Sequence, residues 1–172
     1  MAAAQVAFDP KQSSNLNDQT PQFRPGTEYE DPSDGKVYIY VRHHQGVGVV
    51  ASANGAAAFW RTYSSGSVTP DKTDNEFGAA IPAGCAGIYG GVVTHLYYTW
   101  LQKRGEKVGV ILDADGAIGN WVGVHAQDLN TSKTLTLANA AVAATAVNAA
   151  PLVGIQKTAP GGAVGTVLLM IS

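Results

Sequence analysis

The chain has 172 residues, enough for one well-buried domain and cramped for two. Only 14% of them are charged, against a usual quarter, while 45% are hydrophobic and the net charge is −2. That balance argues against a general nucleic-acid binder, and no run of about 18 apolar residues offers a membrane span.

A surface this poor in ions has two explanations. Either Ser, Thr, Asn and Gln keep it wet, or copies of the chain or a partner cover much of it; the second reading is carried forward. The single Cys85 excludes an internal disulfide and a Cys-based zinc site, and among Gly84, Ala86 and Gly87 it reads as a small buried hydrophobe. Met1 to Gln5 lacks the apolar centre of a secretory signal, so a soluble protein made in a cytoplasm is expected.

Residues 1–35 read as an extended arm. Pro10, Pro21, Pro25 and Pro32 restrict their neighbours, and the polar run Lys11 to Thr20 offers little to bury. Val6, Phe8, Phe23 and Tyr29 are spaced apolar anchors that would pin such an arm to another surface. The arm carries Lys11 and Arg24 against six acids, whereas the remainder has 9 basic and 7 acidic residues. An acidic arm on a mildly basic body suits docking on a neighbouring subunit; a solvated tail is the alternative for its first dozen residues.

From Lys36 the texture is β. Val37, Ile39 and Val41 alternate with Tyr38, Tyr40 and Arg42, the period of two of a strand. Gly46 to Val50 is a second strand or a bulge, and Asn54-Gly55 is a turn of the type I′ kind. Ala56 to Tyr63 is a third strand, and Ser64 to Phe77 reads as a loop. Gly84 to Gly105 holds two strands joined by a tight connection with a turn at Thr94-His95. Lys107 to Leu112, Ile118 to Val124, Thr134 to Leu137 and a mostly buried Val164 to Ile171 complete the strands. Over Ala138 to Ala150 alanine favours a short helix, while Val142, Thr145 and Val147 favour an irregular or strand-like passage. With turns every ten residues or so, the fold class is all-β, a small barrel or sandwich with an N-terminal arm (1–35) and a β-rich domain (36–172).

Candidate chemistry is sparse. His43 and His44 are adjacent on a strand and point to opposite faces, so they do not readily chelate one metal, and nothing in the spacing requires His95 or His125 to join them. Asp113-Ala-Asp115-Gly116 opens like a calcium loop, but position twelve is Val124 where a bidentate Glu is needed, which leaves a β-turn. No nucleophile elbow, zinc-protease or phosphate-loop motif occurs. No catalytic residue, metal or cofactor is therefore assigned. Trp60, Trp100, Trp121 and the Tyr97-Tyr98 pair would suit a sugar platform, yet aromatics alternate onto both faces of the Tyr97–Gln102 strand. That favours core and interface.

Three stretches carry a resemblance. They are Gly84–Gly105 (GCAGIYGGVVTHLYYTWLQKRG), Leu152–Gly162 followed by Val164–Ile171, and the acidic turn and Tyr-rich strand Asp34–Arg42. In order and spacing they resemble the small head decoration, or cement, proteins of tailed bacteriophages. The resemblance covers about half the chain, and the long polar N-terminus and the Ser64–Phe77 stretch depart from it. It implies a non-enzymatic virion protein on the capsid exterior, trimeric, with the major capsid protein and copies of itself as partners. On that reading Phe8, Phe23 and Tyr29 dock the arm on the capsid, and Tyr98, Trp100, Trp121 and the last strand serve the core and subunit contacts. The alternatives are a carbohydrate-binding β module and another virion component such as a head fibre or tail protein.

Overall fold

A computed structural model of the chain describes residues 9–11, 15–46, 51–70, 84–112, 121–123, 136–138, 152–158 and 164–171. Among the described residues there are ten strands and no α-helix. They are β1 (Glu28–Glu30), β2 (Val37–His43), β3 (Ala57–Thr62), β4 (Ser67–Thr69), β5 (Cys85–Tyr89), β6 (Tyr98–Ile111), β7 (Trp121–Gly123), β8 (Thr136–Ala138), β9 (Leu152–Gln156) and β10 (Val164–Met170). The all-β class is thus the observed one. Strands β2, β4, β3, β5 and β6 close into a five-stranded barrel, because β6 pairs with β2 as well as with β5.

Strand β6 organises the rest. Its 14 residues outrun the barrel, and the far half pairs with β10, which leads through β9 and β7 to β8. The sequence places a strand end at Gly105; the chain bends there and continues. Gly105 takes φ +91°, a left-handed conformation that a side chain would strain, so the strand turns out of the barrel without losing its ladder.

Side-chain alternation divides the core. Ile39, Val41, Ala58, Val68 and Leu101 fill the barrel, packed with Tyr89. Ala57, Phe59 and Ile88 on the outside of β3 and β5 pack instead with Val110, Val153, Val167 and Leu169 from the second half of the sheet. Each such buried Val, Leu, Ile or Phe side chain contributes ~1.5–3 kcal/mol over its exposed state.

Several expectations need correction. The Ser64–Phe77 loop contains β4: Val68 and Thr69 are β-branched, and the segment lies between β2 and β3 with both edges paired. The β5–β6 connection is not tight, since residues 90–97 separate the strands, although the Thr94-His95 turn is present with Tyr97 N–H donating to the Thr94 carbonyl at 3.0 Å. The Asn54-Gly55 turn closes from Ala56 N–H to the Ala53 carbonyl at 3.0 Å, with positive φ at Gly55 alone (+84°). That is type II geometry, not type I′. β10 is not mostly buried: Val164, Leu168 and Met170 face outward at 46, 37 and 42% exposure while Val167 and Leu169 face the core. The strand at Gly46–Val50 and the helix at Ala138–Ala150 fall, apart from Gly46 and Ala138, outside the described residues.

Residues 15–35 lie on the body. Asp18 bridges to Tyr98, Gly26 N–H donates to the Tyr40 carbonyl at 2.7 Å, and β1 pairs with β2. Ion pairs at the edges hold the segment further, Glu28 with Lys103 at 2.6 Å and Asp31 with Lys11 at 2.8 Å. The Lys11 ammonium, helped by Ser33, holds the Asp31 carboxyl well below the usual carboxylate range.

Candidate functional site

The outward face of β2 and β6 brings most of the aromatic candidates together. Register sets Tyr38 opposite Gln102, Tyr40 opposite Trp100 and Arg42 opposite Tyr98, so all six side chains project to one side of the barrel. Tyr40 stacks on Tyr98 (5.8 Å, 10° between planes) and tilts against Trp100 (5.1 Å). The Arg42 guanidinium lies 5.9 Å from the Tyr98 ring. Phe23 closes edge-on over Trp100 at 5.3 Å and Tyr40 at 5.5 Å, and Tyr29 meets Trp100 at 6.2 Å.

Phe23 and Tyr29, expected as docking anchors, therefore share one cluster with Tyr98 and Trp100. Trp100 is 2% exposed and belongs to that cluster's interior, whereas Phe23 keeps 36% of its surface open. Phe8 lies outside the described residues, and so does the side chain of Trp121, whose backbone runs in β7.

One polar device sits in this aromatic layer. Asp18, 8% exposed, accepts a hydrogen bond from the Tyr40 hydroxyl at 3.2 Å, and the same hydroxyl accepts the Gln22 N–H at 3.2 Å. Burial raises the Asp18 pKa, partly offset by the Tyr40 bond.

The histidines occupy the neighbouring barrel end. His43 is fully buried, with Nδ1 2.9 Å from the Tyr89 hydroxyl. Loss of water, reinforced by His95 and His44, lowers its pKa to about 4. The His44 and His95 rings touch edge-on at 4.6 Å, and their Nδ1 atoms accept the Gly46 and Gln45 N–H groups respectively. Among the described residues, no three His, Cys, Asp or Glu side chains converge on a metal position; His125 lies outside them. Cys85 is buried beside the Gly87 carbonyl, and burial pushes its thiol up to about 12, which keeps it protonated.

Concave surfaces occur elsewhere among the described residues. A groove of about 320 Å³ opens where β6 leaves the barrel, with Lys11, Lys36, Lys107, Tyr38, Trp100 and Gln102 among its walls. A second, more open one of about 420 Å³ runs beside Arg24, Thr27, Tyr63, Ser64 and Ser65. Here Tyr63, 47% exposed, packs on Trp60 at 5.1 Å. Sequence reasoning singled out neither Lys107 nor Tyr63, since what surrounds them depends on strands far apart in the chain.

The outer face of the β6–β10 pair carries exposed apolar side chains among charged ones. Val108 is 69% exposed and joins the outward Val164, Leu168 and Met170, with Arg104 and Glu106 interleaved along β6. No protein-family model matches the chain, and no curated protein is similar to it.

Proposed function

We propose that the protein is a non-enzymatic component of a virion, a decoration protein on the outer surface of a phage head that stabilises the lattice of the major capsid protein. The observation that carries the reading is the strip Val108, Val164, Leu168 and Met170, which a chain with 14% charged residues leaves facing water. The resemblance of the Gly84–Gly105, Asp34–Arg42 and Leu152–Ile171 stretches to phage cement proteins gives the partner.

The mechanism is linkage. A protein that binds only the assembled lattice stabilises it by its binding free energy, and a symmetric array makes many modest contacts act together. Copies associate as trimers through the outward strip, with Tyr98 and Trp121 supporting the contacts and Trp100 serving the core behind them. The open edge of Phe23, with Phe8 and Tyr29, meets the capsid. The protein is made in the host cytoplasm and resides on the capsid exterior.

The groove beside Trp60 and Tyr63, walled by Arg24, Thr27 and two serines, favours a second reading, a carbohydrate-binding module. The platform of Trp100 and Tyr98 does not serve it, because Trp100 is only 2% exposed.

The test mixes the purified protein with expanded heads that lack it, and follows occupancy by imaging and oligomeric state by native mass spectrometry. A trimer that saturates the heads, and a Leu168→Lys variant that folds but neither trimerises nor binds, are the expected outcomes. A monomer that ignores particles and binds a glycan array would replace this reading with the second.

A further inference from the structure

Five lysines fall within the described residues, and four of them hold a carboxylate. Lys11 pairs with Asp31 and Asp34, Lys36 with Asp34, Lys103 with Glu28 and Lys157 with Glu106. Lys107 is the exception among them. Its ammonium has one polar contact, the Asn54 side-chain oxygen at 3.4 Å. Glu106 is next in sequence and also lines the groove, but its carboxylate is engaged by Lys157 at 2.8 Å.

This unneutralised cation is half-buried and lines the 320 Å³ groove. Burial, and then the charge of Lys36, push its pKa below the ordinary lysine value, so the site disfavours the very charge it holds. An anion in the groove would offset both penalties. The Asn54 amide presents its oxygen to Lys107, and no hydrogen bond among the described residues uses its NH₂ group. Two donors thus stand side by side.

We infer that the groove at Lys107 and Asn54 is a carboxylate-binding site that takes an acidic side chain from a partner polypeptide. One oxygen would sit on the Lys107 ammonium and the other on the Asn54 amide, while Leu16, Ile88 and Val108 line the methylene stem. The polypeptide source follows from the rim. Val108 is 69% exposed and continues into the apolar strip of β10, a surface that fits another protein rather than a small solute, which would need a more enclosed cavity with more converging donors. The inference stands on the groove alone and is independent of whether the partner is a capsid.

The experiment is a chemical-shift titration of the intact protein, following the Asn54 side-chain amide and the Lys107 ε-methylene. The probes are N-acetyl-glutamate methylamide, its glutamine counterpart, glucuronate and inorganic phosphate. Saturable shifts with the glutamate probe, weakened at least about tenfold by Lys107→Met and absent with the glutamine probe, are expected. Lys107→Met must keep the wild-type unfolding midpoint, and Asn54→Ala supplies a second variant if it does not. Equal shifts from the glutamine probe, an undiminished response in either variant, or no response up to about 100 mM would overturn the site. Tighter binding of glucuronate or phosphate would overturn the polypeptide source.

Discussion

Asp18 and Tyr98 exchange both backbone hydrogen bonds at 2.8 Å, a two-residue antiparallel bridge between segments 80 residues apart. It delivers the Asp18 carboxylate to the Tyr40 hydroxyl beneath Phe23. Because burial raises the Asp18 pKa, the folded state takes up a proton more readily than the unfolded one, and the ionised carboxylate costs stability above that raised pKa. Asp18→Asn keeps an acceptor for Tyr40, and Gln22 can reverse its amide to match. The variant should gain up to about 1 kcal/mol at pH 7, a gain that vanishes as pH falls to the ordinary value of 3.8. Tyr40→Phe should lose about 1–2 kcal/mol at pH 7, because it leaves the carboxylate with only the Gln22 amide, at 3.4 Å. Urea midpoints across pH check both; an Asp18→Asn gain that persists at pH 3 would show that charge is not its cause.

The Asn54-Gly55 turn is pressed against β6. Gly55 N–H donates to the Tyr89 carbonyl at 2.9 Å, its own carbonyl accepts Ile111 N–H at 2.9 Å, and a Cβ there would land on the Gly109 carbonyl oxygen. With φ at +84° as well, Gly55→Ala should cost about 3 kcal/mol or more, or prevent folding. Gly91→Ala is the contrast: its added methyl meets nothing within 4 Å, so the midpoint should move by less than about 0.5 kcal/mol. Equal effects of the two substitutions would mean that the turn does not pack on β6.

How far the sequence foretells this arrangement depends on the range of the interaction. Val37 to Arg42 alternates because both faces of β2 are set by its own residues, and the strand is legible at sight. β4 is only three residues long, so its β-branched Val68 and Thr69 stay below any local signal until β2 and β3 flank them. The spacing of Phe23 and Tyr29 marks them as anchors but carries no information about which surface they meet. Here it is Trp100, reached through the Asp18–Tyr98 bridge. The groove is less legible still, since a lysine that lacks a carboxylate differs from one that has one only in three dimensions.

Leu96 is the one residue other than glycine with positive φ (+67°) among those described. Its N–H donates to the His43 carbonyl at 2.9 Å and its carbonyl accepts Arg42 Nε at 3.3 Å, so the surrounding bonds hold it in a conformation that costs roughly 1–2 kcal/mol. Its side chain is 41% exposed and offers little packing in return. Leu96→Gly should therefore stabilise the fold by up to about 1 kcal/mol, whereas Leu96→Val, branched at Cβ, should destabilise it by a similar amount. Thermal midpoints of the pair decide the matter: losses of the same size from both would argue that packing, not backbone strain, governs the position.

His43 sets the acid limit of the fold. Its ring is fully buried against Tyr89, and its Nε2 has no hydrogen-bond partner, so charging it inside the barrel has no compensation. The groups that face it, His44 and His95, add repulsion to the loss of water, and its pKa falls from 6.5 to about 4. The unfolded chain then binds the proton first. Stability from this residue is complete above pH 6.5, declines as pH drops toward 4, and levels off below, a loss of about 3 kcal/mol in all. Asp18 acts with the opposite sign in the lower part of this window, so Asp18→Asn is the background in which to measure it. His43→Gln keeps a partner for the Tyr89 hydroxyl and does not titrate; its unfolding free energy should be nearly flat from pH 6.5 to 4. Parallel curves for the two proteins would show that the buried His43 ring is not the origin of the acid sensitivity.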